Sequence, residues 1–257
     1  MEIIWNFFSD LIGHSSPRHA KLKFHDLDIS TLDLHELDAP LLESEVLAAI
    51  HDLAPDKAPD PDGYTGLFFR RFWPIIKHDV MAAVNQFYAL ACNNLGIVND
   101  ATMVLIPKKP DATAPKDFRP LCLISSFAKL ILKVLARRLQ PRMPELVRPC
   151  QSAFIKGRTI HDNFAYVQGL VKSLQHKKCP SLFLKMDIEK AFDSVSWEFL
   201  LEVLEARGFG RKFRNLISCL LFSSSTRILV NGTLSEPIFH RRGLGKEIQC
   251  LPYYLLM

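Results

Sequence analysis

Residues 184–200 read LKMDIEKAFDSVSWEFL. Leu182, Phe183, Leu184 and Met186 form a short apolar run, which predicts a largely buried strand over 181–187. The run ends on Asp187, with Glu189 and Asp193 close behind. An amphipathic helix is predicted over 196–208, with Arg207 near its end and Gly208 as its stop. A carboxylate at the end of a buried strand is partly desolvated and needs a partner. Two partners suit Asp187: a basic side chain in an ordinary ion pair, or Mg²⁺, which takes a few carboxylate oxygens and shares the phosphate oxygens of a nucleotide. Asp193 reads as an N-cap for a helix over 194–207.

Outward from this stretch the chain alternates helical and strand patterns. LLESEVLAAIHDL (41–53) has helical spacing, and the Pro/Asp/Gly-rich segment 54–66 reads as a loop. A long helix is predicted over 73–94, with Pro74 near its start and Gly96 just past its end. ATMVLIPKK (101–109) reads as a buried strand stopped by Pro107. Helices follow over 125–140 and 159–175, the second opening on Thr159 and Asp162 in a capping-box arrangement. Residues 226–240 carry a hairpin pattern with Asn231-Gly232 at the turn. Long helices first and strands interleaved later predict an α+β architecture.

Charge is segregated along the chain. From Asp26 to Asp62 eleven acidic residues face only Lys57. From Ala101 to Arg158 twelve basic residues face Asp111, Asp117 and Glu145. Such a basic segment suits a polyanion such as nucleic acid, or else a solvated helix face. The six cysteines, at 92, 122, 150, 179, 219 and 250, form no C-x-x-C pair, which argues against a zinc site or a disulfide framework and for an intracellular setting. The N-terminus has no basic region ahead of its apolar residues, so neither a signal peptide nor a membrane span is expected.

Six blocks then occur in order: APDKAPDPDGYTGLFFRRFW, MVLIPKK, DFRPLCLISSFAKLILKVLARRL, QSAFIKGRTIHDN, LKMDIEKAFDSVSW and VNGTLSEPIFHRRGL. Together they resemble the reverse transcriptase domain of LINE-type (non-LTR) retrotransposons, the plant kind in particular, over about residues 50 to 244. The resemblance implies right-hand polymerase fingers and a partial palm with an incomplete antiparallel sheet, the thumb being absent. It divides the chain into an N-terminal helical extension (1–53), fingers with part of the palm (54–178) and a partial palm (179–257). It implies RNA-templated DNA synthesis with two Mg²⁺ ions, on an RNA template and DNA primer with deoxynucleoside triphosphates, in the nucleus. Asp187 would bind the metal with help from the Ile188 carbonyl. Phe192 would be the bulky gate beside the sugar 2′ position, unless it is simply a core phenylalanine. Lys108 and Arg119 would meet the triphosphate. Gln151, Lys156, Gly157 and Arg158 would lie along the template or primer backbone.

Two departures stand out. The family's second palm motif, with its Asp-Asp pair, has no counterpart: no Asp-Asp pair occurs in the 257 residues. The chain is therefore expected to be a truncated, inactive copy, or else a non-catalytic module for RNA or an RNA–DNA hybrid. After Leu244, moreover, Gly-Lys-Glu-Ile-Gln-Cys-Leu-Pro stands where the family reads Arg-Gln-Gly-Asp-Pro. A coding string for the family version, read one base out of frame, yields the residues present, so a one-base deletion just after Leu244, or a gene-model artefact that mimics one, is expected. Asp60, where the family more often has Gly, is a milder drift that an Asp can tolerate.

Overall fold

The computed structural model describes residues 1–15, 18, 22–26, 31–55, 59–90, 94–148, 151, 157–178, 180–184 and 193–244. Asp187, Ile188, Phe192 and Lys156 lie outside them, as does the segment in which the frameshift is expected. The helices are α1 (Glu2–Ile12), α2 (Glu43–Asp52), α3 (Gly66–Ala89), α4 (Leu95–Val98), α5 (Ser126–Leu139), α6 (Met143–Leu146), α7 (Ile160–His176), α8 (Trp197–Ala206) and α9 (Arg211–Phe222). The strands are β1 (Asp100–Pro107), β2 (Phe118–Leu123), β3 (Ser225–Val230), β4 (Thr233–Leu234) and β5 (Ile238–Phe239).

The sheet runs in the order β2-β1-β3-β4, with β5 also paired to β3. It is mixed rather than wholly antiparallel, because β1 and β3 run parallel, with Met103 opposite Ile228. Parallel neighbours require a crossover, and the long helical stretch between Pro107 and Ser225 supplies it. Strands from either side of residue 179 therefore share one sheet. The predicted hairpin forms: Asn231 (φ 49°) and Gly232 (φ 80°) are both left-handed, as the tightest hairpin turn demands, and Val230 pairs with Thr233. The return strand breaks at Ser235, whose hydroxyl accepts the Ile228 N–H at 2.9 Å while its own N–H donates to the Ile228 carbonyl at 2.9 Å.

The main core lies among α2, α3, α5, α8 and α9. Leu130, Ile131, Val134, Leu135 and Leu139 of α5 are buried there with Phe87, Leu200, Leu204 and Phe213. A second apolar cluster joins Phe8 and Ile12 of α1 to Met103, Ile228 and Ile238 of the sheet. The N-terminal helix is thus docked on the sheet rather than trailing from it.

Several predicted boundaries shift. The long helix begins at Gly66, not 73, because Thr65 caps it by accepting the Phe68 N–H. It ends at Leu90 in a left-handed conformation (φ 60°), well before Gly96. The N-cap of α8 is Ser196, which accepts the Phe199 N–H, and not Asp193, which sits in a turn ahead of the helix. Ser196 is the residue immediately before the helical run, so its hydroxyl reaches the third N–H. Residues 181–184, the described part of the predicted 181–187 strand, pair with no strand among the described residues; Leu182, Phe183 and Leu184 are 92%, 69% and 73% exposed. Helix α7 likewise buries none of its residues, although Ile160, Phe164, Val167 and Val171 recur at helical spacing.

Candidate nucleotide and nucleic-acid site

The β1–β2 hairpin carries the two predicted triphosphate contacts. Ile106 of β1 faces Arg119 of β2 across the ladder. The pairing continues one step past the strand, where the Lys108 N–H donates to the Asp117 carbonyl at 2.9 Å. Lys108 lies two residues beyond Ile106, so strand alternation puts it on the same face as Arg119. Both side chains are exposed. The Lys108 ammonium donates to the Lys116 carbonyl at 2.6 Å, which holds it over the hairpin end. The hairpin loop is fixed by Asp117, whose carboxylate accepts the N–H groups of Ala114 (3.2 Å) and Thr113 (3.4 Å) and faces Lys109 at 3.6 Å. The Ala114 N–H above all, with Thr113 and the Lys109 charge, holds the Asp117 carboxyl below its ordinary range.

The 151–158 block is organised by Arg158. Its guanidinium donates to the carbonyls of Gln151 (2.7 Å), Arg148 (2.8 Å) and Val147 (3.2 Å). These bonds tie the described residues on either side of 152–156 together, and Gly157 supplies the left-handed residue (φ 85°) just before Arg158. Gln151 and Arg158 are therefore brought together through a backbone carbonyl. They and the β1–β2 hairpin share no hydrogen bond or ion pair among the described residues.

The basic run has partners that charge counting does not reveal. Lys129 pairs with Asp60, and Arg137 with Asp52. Arg138 pairs with Glu45 at 2.5 Å, and Arg142 with Glu36 at 3.1 Å. Glu36, Glu45, Asp52 and Asp60 thus pair in reverse chain order with Arg142, Arg138, Arg137 and Lys129. Much of the predicted polyanion surface is internal charge pairing. Asp60 has its own part here. With Asp62 it receives the Ser126 hydroxyl at 3.1 Å, and Asp62 takes the Ser126 N–H at 2.6 Å, so two carboxylates sit at the positive end of α5.

Just after the Asp187 segment in the sequence, the described residues form a close junction. The Gly243 N–H donates to the Val195 carbonyl at 2.8 Å, and the buried Trp197 indole donates to the Gly243 carbonyl at 2.6 Å. Residues 193–197 and 240–243 are thereby held side by side. The sequence pattern did not single out Trp197 or Gly243. A tryptophan three residues before a helical leucine reads as core, and only the fold supplies its polar partner.

Among the described residues, no group of three or more His, Cys, Asp or Glu side chains could hold a metal ion. Likewise, no helix among them is long and apolar enough to cross a membrane.

Residues 106–245, more than half of the chain, match the family described as reverse transcriptase (RNA-dependent DNA polymerase). An uncharacterized 149 kDa protein of transposon TX1 from Xenopus laevis is 30% identical over 213 residues, covering 81% of this chain and 16% of that protein. The retrovirus-related Pol polyprotein of the type-2 retrotransposable element R2DM from Drosophila melanogaster is 27% identical over 260 residues, covering 100% of this chain and 23% of the polyprotein. A corresponding polyprotein of the type-1 retrotransposable element R2 from Nasonia vitripennis is 30% identical over 145 residues, 56% of this chain and 14% of that one. The chain thus spans less than a quarter of the length of each of these relatives. With Lys108, Arg119, the 151–158 block and the Asp187 segment all inside the matched residues, the chain belongs to the reverse transcriptase family, as a reverse transcriptase domain of the non-LTR retrotransposon kind.

Proposed function

We propose that this chain is the fingers and partial palm of an RNA-directed DNA polymerase that copies retrotransposon RNA from a DNA primer in the nucleus. Residues 1–53 form the helical extension, 54–178 the fingers with part of the palm, and 179–257 the partial palm. The family match across 106–245 carries this reading, because it encloses every residue assigned a role. Lys108 and Arg119 are the triphosphate contacts; their shared, exposed face on one hairpin supports pairing them on one anionic ligand. Gln151, Lys156, Gly157 and Arg158 follow the template or primer backbone, with Arg158 shaping the loop. Phe192 is the sugar gate.

Mg²⁺ would be held by Asp187 and the Ile188 carbonyl, which lie outside the described residues, and the described residues offer no alternative cluster. One carboxylate cannot hold two divalent ions against their mutual repulsion. No Asp-Asp pair occurs in the 257 residues. The 257-residue chain by itself is therefore proposed to bind template and primer without extending it.

Primer extension on an RNA template with Mg²⁺ tests this, alongside filter binding of the same RNA–DNA hybrid. Expected are binding that weakens as salt rises and no extension. Extension abolished by Asp187→Ala would overturn the inactivity, and absence of binding at low salt would overturn the nucleic-acid assignment.

A further inference from the structure

His240 to Gly243 are held by three different parts of the molecule: the sheet, the end of α1 and the turn before α8. The His240 N–H donates to the Ser224 carbonyl at 3.1 Å, and its Nε2 shares a 2.7 Å hydrogen bond with the Thr226 hydroxyl of β3. The Arg241 N–H donates to the Ile12 carbonyl at 2.8 Å. The Arg242 guanidinium donates to the carbonyls of Leu11 (2.7 Å) and Asp10 (2.8 Å). Three carbonyls at the C-terminal end of α1, which that helix cannot satisfy itself, are thus all taken by this tetrapeptide. Gly243 then closes on the turn before α8, through the bonds to Val195 and Trp197. Its φ is +76°, and a Cβ there would stand 2.7 Å from the Asp193 carbonyl oxygen and 2.9 Å from the Asp193 Cα. Only glycine fits so close an approach.

We infer that His240–Gly243 is a positioning clamp, fixing the 193–197 turn against both the sheet and the N-terminal helix, with Trp197, Arg242 and Gly243 as its positioning residues. Its meaning for catalysis rests on the polymerase reading. Asp187 lies only six residues before Asp193 in the sequence, so the clamp fixes the described turn that follows the carboxylate segment and leads into α8. The clamp also ties α1, at the far end of the sequence, to the 193–197 turn. Packing of Trp197 against Phe222, with rings 5.0 Å apart and edge to face, keeps the indole aimed at the Gly243 carbonyl.

Hydrogen exchange read by mass spectrometry on the full 257-residue chain tests the clamp. Trp197→Phe keeps an aromatic ring against Phe222 but removes the donor. Exchange in peptides covering 193–199 and 238–244 should then speed up together, by about tenfold for one lost hydrogen bond, while α2 and α5 stay unchanged. Arg242→Met should speed exchange in 8–14 and 238–244 together, and Arg242→Lys, which can still reach a carbonyl, should restore most of the protection. Peptides that respond separately, or no response at all, would overturn the clamp. A uniform rise across the chain would also overturn it, since these residues would then only add to general stability. Because no template or nucleotide enters the measurement, failure of the clamp and failure of the polymerase reading are distinguishable.

Discussion

The Arg138 guanidinium grips the Glu45 carboxylate at 2.5 and 2.6 Å, with the arginine side chain only 8% exposed. The same guanidinium donates to the carbonyls of Leu37 (3.3 Å), Pro40 (2.5 Å) and Ala39. One side chain of α5 therefore fastens α2 and the segment that leads into it.

Arg138→Met is expected to destabilise the chain strongly, by about 3 kcal/mol, because it strands a half-buried carboxylate and the part-buried Leu37 carbonyl. Burial pushes the Glu45 carboxyl up, but hydrogen bonds from Arg138 and the Leu42 N–H, with the Arg138 charge, outweigh it and hold the carboxyl below its ordinary value. Once the arginine is gone that balance reverses. Adding Glu45→Gln to Arg138→Met should then recover part of the loss. Urea titration of the two single variants and the double variant reads the coupling, and strict additivity would contradict it.

Triphosphate binding should follow the β1–β2 hairpin rather than α5. Lys108→Ala and Arg119→Ala together should weaken binding of a deoxynucleoside triphosphate and lower the slope of its log affinity against log salt, since both cations assigned to that anion are removed. Arg137→Ala should leave the slope nearly unchanged, since Arg137 is engaged by Asp52. Filter binding across a salt series makes the comparison. A larger effect from Arg137 would mean that the acidic segment yields to the polyanion.

Signals confined to neighbouring residues were legible in the sequence. The Asn231-Gly232 turn, the Thr159–Asp162 capping box of α7 and the apolar face of α5 all appear where the pattern put them. What depended on distant partners was not. Strand β2 carries Pro120, which suppresses a strand reading yet is tolerated on an edge strand, where it lies opposite Leu105. The apolarity of 182–184 shows that these residues favour burial, but it names no surface to receive them, and they stand exposed. The charge runs were plain in composition, but their mutual pairing is a property of the fold. Of the candidate site, the hairpin placement of Lys108 and Arg119 follows from strand order. The clamp at Gly243 joins segments nearly fifty residues apart, with no local mark.

His240 sets an acid-side limit to stability. Burial lowers its pKa from 6.5 to about 4, with Asp100 pulling weakly the other way. The unfolded chain binds a proton below about pH 6.5 that the folded chain refuses until about pH 4. The contribution of the neutral imidazole is therefore complete above 6.5, falls as pH drops through that window, and levels off below it. The change is on the order of 3 kcal/mol. His240→Gln should flatten this part of a stability-against-pH curve measured by urea unfolding. An unchanged slope in the variant would assign the acid loss to other groups.

Helix α9 provides the sharpest test of long-range capping. Its N-cap position is Gly210, which has no side chain to offer, and the Asp38 carboxylate does the work instead, accepting the N–H groups of Phe213 (2.8 Å) and Lys212 (3.2 Å). A Cβ on Gly210 would stand 2.1 Å from Asp38 Oδ2. That carboxylate cannot swing aside without giving up both bonds. Serine at an N-cap ordinarily stabilises a helix, yet Gly210→Ser alone should destabilise this one. Asp38→Ala alone should lose about 1–2 kcal/mol with the cap. In the Asp38→Ala background the obstruction is gone and the serine hydroxyl can reach the free N–H groups, so Gly210→Ser should now stabilise. Thermal or urea unfolding of the four proteins shows whether the sign reverses. If serine acts in the same direction in both backgrounds, then the carboxylate of Asp38 does not hold the end of α9.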